Sequence, residues 1–207
     1  SLTDPSAGTY TYNYNIVGEL LSESSPKGST TLTYDPTGKL LGKSIYGDET
    51  DYTIQYNYDP TTKLLTHIEG LDGLSGIQYD YNYYYDQYVR VDKITENYGT
   101  ANFEKQIVFD GFGRVQDETY ISNDIITGVS NNVKVKNVYE TNSGIHTQIK
   151  DFSTNEILWK INTEDARGNA LSISLGNGIN KSRSYDNFGY LTQMKDMKAG
   201  IGLPGTN

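Results

Sequence analysis

A short unit built on a Tyr-Asp pair recurs along the chain at intervals of 20 to 30 residues. Its clearest copy reads Tyr34-Asp35-Pro36-Thr37-Gly38-Lys39-Leu40. The copies, some of them degenerate, begin at Tyr14, Tyr34, Tyr58, Tyr85, Phe109, Tyr139, Glu164 and Tyr185. A repeat of this length is typical of an array of one supersecondary unit, so it argues against a single irregular domain.

The residue order within the unit predicts a tight β-hairpin turn. In Asp35-Pro36-Thr37-Gly38, Asp opens the turn, Pro supplies the φ that the second position needs, and Gly closes it in the left-handed conformation. Two copies lack this glycine, with Thr62 and Val89 at its position. Because β-branched residues resist positive φ, we expect altered turns at both places.

Alternating residues predict strands between the turns. In the segment 77–85, Ile77 and four tyrosines occupy every second position, and mostly polar residues lie between them. Successive side chains of a strand point to opposite faces, so this pattern predicts a half-buried strand with one aromatic face. The same alternation recurs over 10–14 and 52–58.

The fold class that follows is all-β: tandem antiparallel β-hairpins in a curved or spiralling meander, a partial shell without a long helix. We expect about sixteen short strands, at Thr9–Tyr14, Glu19–Glu23, Thr30–Tyr34, Lys39–Tyr46, Tyr52–Tyr58, Lys63–Ile68, Ile77–Tyr85, Val89–Thr95, Phe103–Phe109, Arg114–Ile121, Val133–Tyr139, Ile145–Asp151, Glu156–Thr163, Asn169–Leu175, Ile179–Tyr185 and Tyr190–Lys195. Residues 1–196 form one predicted repeat domain, and 197–207 form a predicted flexible tail within a longer protein. The segment from Gly70 to Gly76 is a predicted loop.

Composition restricts the possible partners. The net charge is −9, from 17 basic and 26 acidic residues, and there is no long basic run, so nucleic acid and anionic membrane surfaces are unfavourable partners. The chain has no cysteine, which excludes disulfides and thiolate metal sites. No apolar run is long enough for a membrane-spanning helix, and no signal-peptide pattern is present. Mean hydropathy is low at −0.61, but 19 tyrosines predict a folded chain with a thin core.

The units resemble the YD repeats, also called RHS repeats, of bacterial Rhs proteins, wall-associated proteins, insecticidal toxin complexes and the animal teneurins. The segments that carry the resemblance are Tyr34–Leu40, Phe109–Val115 and Tyr185–Leu191, which are close to Y-D-x-x-G-[RK]-L, and Glu164–Asn169, which is similar to a frequent variant. The resemblance extends from Tyr10 to about Asp196.

This resemblance implies a non-catalytic scaffold. In that family the repeats form a ribbon of β-hairpins that spirals into a hollow shell, which in toxins encloses a C-terminal segment. It therefore implies a bacterial secreted or cell-wall-associated protein whose partners are other repeats or a C-terminal cargo of the same polypeptide. The sequence has neither a Pro-, Asn- and Leu-rich core segment nor a toxin domain after the repeats, so it assigns no self-cleavage and no toxicity.

The candidate catalytic and metal-binding residues all have simpler explanations. His67 and His146 lie in different repeats, and neither has acidic residues at ligand spacing, so both fit ordinary strand positions. The recurring turn aspartates fit acceptors for the amides of their own turns better than paired catalytic carboxylates. Gly200–Gly205 matches G-x-G-x-x-G, but no helix can follow it in this sequence. Asn180-Lys181-Ser182 is a glycosylation sequon. We expect no enzyme activity, no metal and no cofactor.

The aromatic stripes leave a second hypothesis open, a carbohydrate- or cell-surface-binding module. Aromatic faces stack on sugar rings, although cross-strand packing between the rings explains the same pattern. The residues of this predicted ligand-facing stripe are Tyr79, Tyr81, Tyr83, Tyr85, Tyr52, Tyr56 and Tyr58.

Overall fold

The structure, a computed structural model, describes residues 1–6 and 8–198. The described residues contain strands joined by turns and no helix. The strands are β1 (Leu2–Asp4), β2 (Gly8–Tyr14), β3 (Leu20–Ser25), β4 (Gly28–Tyr34), β5 (Leu40–Gly47), β6 (Thr50–Tyr58), β7 (Leu65–Asp72), β8 (Gln78–Tyr85), β9 (Val91–Tyr98), β10 (Ala101–Phe109), β11 (Val115–Asp124), β12 (Ser130–Tyr139), β13 (His146–Asp151), β14 (Ile157–Glu164), β15 (Ala170–Leu175), β16 (Ile179–Tyr185) and β17 (Leu191–Lys198).

Within each unit, strands that follow one another in the chain pair in the antiparallel sense, so each unit is a meander. The predicted all-β class and the antiparallel hairpins are confirmed. The expected strands are all present, and β1 is an addition that the sequence pattern did not indicate.

One predicted loop is shorter than expected. The sequence predicts a loop from Gly70 to Gly76, but β7 continues to Asp72 and the turn begins only after it. Gly70 is in the strand, opposite Ile54 on one side and Tyr79 on the other. A Cβ at position 70 would lie 3.6 Å from the Tyr79 side chain, in ordinary contact, so the glycine was a misleading breaker signal.

The described chain divides into two compact units. Unit 1 comprises residues 1–106 and 121–131, and unit 2 comprises 107–120 and 132 onwards. Unit 1 carries 7 basic and 16 acidic residues, whereas unit 2 carries 10 of each. The whole net charge of −9 therefore belongs to unit 1.

In unit 1 the strand register sorts the side chains onto two faces of different chemistry. Residues opposite each other across an antiparallel pair share a face, and Tyr56, Ile68 and Tyr81 are opposite one another in this way. We call their face the tyrosine face; its members are Tyr52, Ile54, Tyr56, Tyr58, Ile68, Tyr79, Tyr81, Tyr83, Tyr85 and Ile94. The opposite face is polar, with Gln55, Asn57, His67, Glu69, Asp80, Asn82, Thr95 and Asn97.

Unit 2 also has one apolar and one polar face, and it contains the most buried side chains among the described residues. Among the described residues, the buried apolar side chains are Val135, 8% exposed, and Ile173, 4% exposed. They belong to the apolar face of the unit, with Ile149, Trp159, Ile161 and Leu175. A single sheet layer with a face of this kind has a thin core, as the low hydropathy predicts.

Candidate functional site

The repeated Asp turns have one shared geometry. In the copy at Asp35, the Gly38 N–H donates to the Asp35 carbonyl oxygen at 3.0 Å, and the Asp35 N–H donates to the Lys39 carbonyl oxygen at 2.8 Å. The Asp35 Oδ1 accepts the Thr37 and Lys39 backbone N–H groups at 2.8 and 3.0 Å. The same bonds form at Asn15, Asp86, Asp110, Asp165 and Asp186. The turn carboxylates are thus occupied by their own backbone, as expected.

The two copies without glycine differ from each other: the altered turn expected at Thr62 is present, and the one expected at Val89 is not. Val89 adopts φ 65° and forms the ordinary turn, with its N–H 3.0 Å from the Asp86 carbonyl oxygen, so the altered turn expected there is wrong. The turn at Asp59 is altered, but by one extra residue. Lys63, not Thr62, has positive φ (62°) and donates its N–H to the Asp59 carbonyl oxygen. The residue that closes the loop was therefore misassigned by one position.

This longer turn is a second recurring motif that sequence reasoning missed. At Asp72, the carboxylate accepts the Leu74 and Ser75 backbone N–H groups, the Ser75 hydroxyl donates back at 2.6 Å, and Gly76 has φ 72°. Its copies begin at Asp59, Asp72, Asp124, Glu140 and Asp151. All have a Ser or Thr three residues later, followed by a residue with positive φ. The signal was therefore present in the sequence as [DE]-x-x-[ST].

The tyrosine that recurs at the start of the unit joins one hairpin to the hairpin before it. The hydroxyl of Tyr85 donates to the Leu65 carbonyl oxygen at 2.7 Å, and Leu65 is the first strand residue after the preceding Asp turn. Three further tyrosines make the same bond: Tyr34 to Leu20 at 3.0 Å, Tyr58 to Leu40 at 2.9 Å, and Tyr139 to Val115 at 2.8 Å. The Tyr of the Tyr-Asp pair is therefore an inter-hairpin clamp. Phe109 occupies this position in another copy and has no hydroxyl.

Side chains near the turns also reach the next turn of the array. Lys39 donates its Nζ–H to the Lys63 carbonyl oxygen at 2.5 Å, and Arg167 donates to the Asn187 carbonyl oxygen at 2.6 Å. Both bonds join consecutive turns at the same end of the strands. Together with the tyrosine hydroxyls, these bonds fix each hairpin against its neighbour.

The predicted ligand-facing tyrosines all lie on the tyrosine face, and part of them form a contiguous column. Ring centroids are 5.9 Å apart for Tyr79 and Tyr81, 5.1 Å for Tyr81 and Tyr83, and 6.4 Å for Tyr79 and Tyr98. Tyr52 lies outside this column on β6 and is 43% exposed. The column presents half-buried ring surface, while the hydroxyls of Tyr58 and Tyr85 are already engaged as clamps.

The phenols of this face are held in their neutral form. Burial, aided by the negative charge of Glu96, raises the pKa of Tyr79 to about 12. Burial also raises the pKa of Tyr83 and of Tyr58, each with a neighbouring phenol as a second cause. These tyrosines act as hydrogen-bond donors and packing surfaces at neutral pH, not as phenolate ligands or bases.

His67 belongs to a hydrogen-bonded group on the polar face of unit 1. Its Nε2 lies 2.7 Å from the Asp80 Oδ2, and its Nδ1 lies 3.4 Å from the Asn57 Nδ2. Asn82 donates to the other oxygen of Asp80 at 2.5 Å. The group resembles a His-Asp dyad, but the His67 ring is fixed between strand partners and no Ser or Cys nucleophile belongs to this group.

His146 is a packing residue of unit 2. Its ring stacks on Trp159, at 5.3 Å, and makes a tilted contact with Tyr139, at 5.2 Å. The Arg114 guanidinium lies 4.2 Å from the centroid of the Tyr139 ring. No group of three or more His, Cys, Asp or Glu residues within 1–6 and 8–198 could hold a metal ion. Among the same residues there is no helix that could cross a membrane. The Gly200–Gly205 motif lies outside the described residues, as does the expected tail apart from Met197 and Lys198, which end β17.

Comparison with known proteins finds similarity of fold. No protein-family model matches the sequence, and no curated protein matches it. The solved structure of TcdB2-TccC3 without its hypervariable C-terminal region superposes on 93% of this chain with a TM-score of 0.58 and 13% sequence identity. This chain covers 11% of that chain, about a tenth of its length.

Two further solved structures are more distant. TcdB2-TccC3-Cdc42 matches 89% of this chain at a TM-score of 0.46 and 16% identity, over 12% of its own chain. A porin-like protein from Bacteroides uniformis matches 90% at a TM-score of 0.41 and 15% identity, over 87% of its own chain. The β-meander of this chain is thus similar to part of a toxin-complex chain, and the two weaker superpositions support no conclusion.

Proposed function

We propose that this chain is a non-catalytic structural module, an array of YD-type hairpins that forms part of a shell or scaffold in a larger secreted or cell-surface bacterial protein. The observation that carries the proposal is the tyrosine clamp, in which three Tyr-Asp tyrosines and the tyrosine of a Tyr-Glu copy donate to the preceding hairpin. The recurring tyrosine therefore stabilises the contact between successive hairpins, as expected for a structural repeat. Similarity of fold to part of TcdB2-TccC3 supports the same proposal.

In the complete protein, such an array would pack against further repeats or enclose a segment of the same polypeptide. The tyrosine face supports this role because its neutral, half-buried rings offer a continuous surface to a chain lying against it. The turn carboxylates do not compete for ligands, since backbone amides already occupy them.

Two measurements test the proposal: the thermal stability of variants of the clamp tyrosines, and the hydrolytic activity of the wild type. Replacing the clamp tyrosines Tyr34, Tyr58 and Tyr85 with Phe should lower the thermal stability of the purified chain cumulatively, because each loses one inter-hairpin bond. The protein should show no turnover in a broad panel of glycosidase and peptidase substrates. Hydrolysis that disappears after His67→Ala or Asp80→Asn would contradict the non-catalytic assignment.

The tyrosine column also favours the second hypothesis, a carbohydrate- or surface-binding module. Tyr79, Tyr81 and Tyr83 present adjacent rings, the arrangement on which sugar rings stack. A glycan array probed with the wild type and with Tyr81→Ala tests it. Equal signals from both proteins, or no signal at millimolar ligand, would remove this hypothesis and leave the scaffold proposal unaffected.

A further inference from the structure

One face of unit 2 carries a cluster of lysines that the linear sequence does not display. Lys136 and Lys150 are direct cross-strand partners on β12 and β13, and Lys160 is opposite Gln148 on the next strand. Lys134 precedes Lys136 by two residues and so shares its face. We call this surface the lysine face; its members are Lys134, Lys136, Gln148, Lys150, Lys160, Asn162, Ser172, Ser174, Asn180, Ser182 and Lys195.

The positive charge of this face is only partly neutralised within the chain. Lys134 lies 3.6 Å from the buried carboxylate of Asp117, and Lys136 donates to the Asn155 side-chain oxygen. No carboxylate of the described residues is within salt-bridge distance of Lys150, Lys160 or Lys195. Like charges directly opposite each other in a sheet are destabilising. A bound anion would therefore reduce the repulsion between Lys136 and Lys150.

Hydroxyl and amide groups make up most of the remainder of the face, which also includes Val138, opposite Gln148, and Met197, opposite Asn180. Asn162 donates to the Ser174 hydroxyl at 2.8 Å and to the Ser172 hydroxyl at 3.3 Å, and Ser174 donates to the Asn180 side-chain oxygen at 2.8 Å. Donors and acceptors of this kind suit a ligand rich in hydroxyl groups.

We propose that the lysine face binds an anionic polysaccharide, with the lysines on its carboxylate or sulfate groups and the Asn and Ser side chains on its hydroxyls. This activity goes beyond the scaffold role. A protein partner is a poorer fit, because interfaces between proteins depend on aromatic and aliphatic anchors. Tyr139 and Trp159 lie on the opposite face, and the Phe152 ring is already in contact with the Lys134 Nζ, 3.6 Å from its centroid. Single-stranded nucleic acid is poorer for the same reason, since its bases stack on aromatic rings.

The test uses the full chain and four polymers: polygalacturonate, dextran sulfate, neutral dextran and oligo(dT). The wild type should bind the two anionic polysaccharides at low salt and not neutral dextran, and its binding should weaken as salt screens the charges. The double substitution Lys150→Gln/Lys160→Gln should weaken binding about tenfold. Comparing a carboxylated with a sulfated polymer distinguishes the two sources of negative charge.

The matched control is Lys43→Gln/Lys198→Gln, which removes the same charge elsewhere. Lys43 is opposite Ile54, and Lys198 is opposite Ile179, so neither belongs to the lysine face. The control should bind within about twofold of the wild type, because neither lysine side chain is on the face that contacts the ligand. Equal weakening by both double variants, no binding to either polyanion at low salt, or tighter binding of oligo(dT) would overturn the proposal.

Discussion

At Val89 a β-branched residue occupies a left-handed turn position, with φ 65°. Such a conformation costs on the order of 1 to 3 kcal/mol for a residue of this type. Val89→Gly should therefore raise the free energy of unfolding by about 1 kcal/mol, measured by urea denaturation. Val17→Gly is the control, because Val17 is a turn valine whose φ is not positive. An equal effect of both substitutions would contradict the strain at Val89.

Substitutions at Gly38 and Thr62 test which turn position has the left-handed conformation. Gly38 has φ 85°, so Gly38→Val introduces backbone strain. The new Cβ would also lie 2.6 Å from the Glu19 Oε1, the far end of a flexible side chain that must move aside. Thr62→Val removes the hydroxyl that donates to Asp59 at 2.9 Å, a loss of about 1 kcal/mol. Gly38→Val should lower the melting temperature more than Thr62→Val. Equal losses would show that the left-handed position is misplaced.

The contribution of the tyrosine clamp to the free energy of unfolding can be measured by removing one hydroxyl. Tyr85→Phe removes the bond to the Leu65 carbonyl oxygen and should cost about 1 kcal/mol in urea denaturation. Tyr84→Phe is the adjacent control, since Tyr84 is 43% exposed on the other face and contacts Lys93 through its ring. If Tyr84→Phe were as costly as Tyr85→Phe, the hydroxyl of Tyr85 would not be the stabilising group.

At the scale of the element, the turns make the fold sensitive to acid. Hydrogen bonds from the Thr37 side chain and the Lys39 backbone lower the pKa of Asp35, and bonds from Thr62 lower the pKa of Asp59. A carboxyl whose pKa is lower in the folded chain stabilises it above the unfolded pKa. That stabilisation is lost as the pH falls through the folded pKa.

The melting temperature should therefore fall progressively as the pH is lowered from about 5 to about 2. Asp35→Asn should keep the turn, since Asn15 forms the same bonds to Val17 and Glu19, and should make the decline less steep. Thermal melts across this range measure it. A decline as steep in Asp35→Asn as in the wild type would contradict the contribution of Asp35.

The elements show which turn signals can be recognised in a sequence. Asp, Pro and Gly act within four residues, so the turns at Asp35 and Asp186 follow from local geometry alone. The longer turns, such as those that begin at Asp72 and Asp124, are harder to recognise. Their signal is a hydroxyl, as at Ser75 and Thr127, and serines and threonines are common everywhere in the chain. The expected altered turn at Val89 is absent because the hydrogen bonds of the turn outweigh the preference of valine for negative φ.

At the scale of the whole molecule, stability is spread over many hairpins with few buried side chains. Ile173 is 4% exposed and should be among the most costly positions to truncate, with Ile173→Ala losing about 2 to 4 kcal/mol. Ile16, in an exposed turn, is the control, and Ile16→Ala should be nearly neutral. Urea denaturation of both variants checks this, and a small loss at Ile173 would mean that unit 2 has no core.

The sequence by itself determined the local architecture: strands from alternation, hairpins from the Asp turns, and an all-β array from their repetition. These follow because each depends on residues that are neighbours in the chain. Tertiary structure alone decided that Tyr85 clamps Leu65 and that Lys136 lies opposite Lys150. The clamp joins two successive hairpins, and the lysine pair depends on the length of the turn and on the bulge between β12 and β13. Neither contact follows from the alternation of residues within one strand.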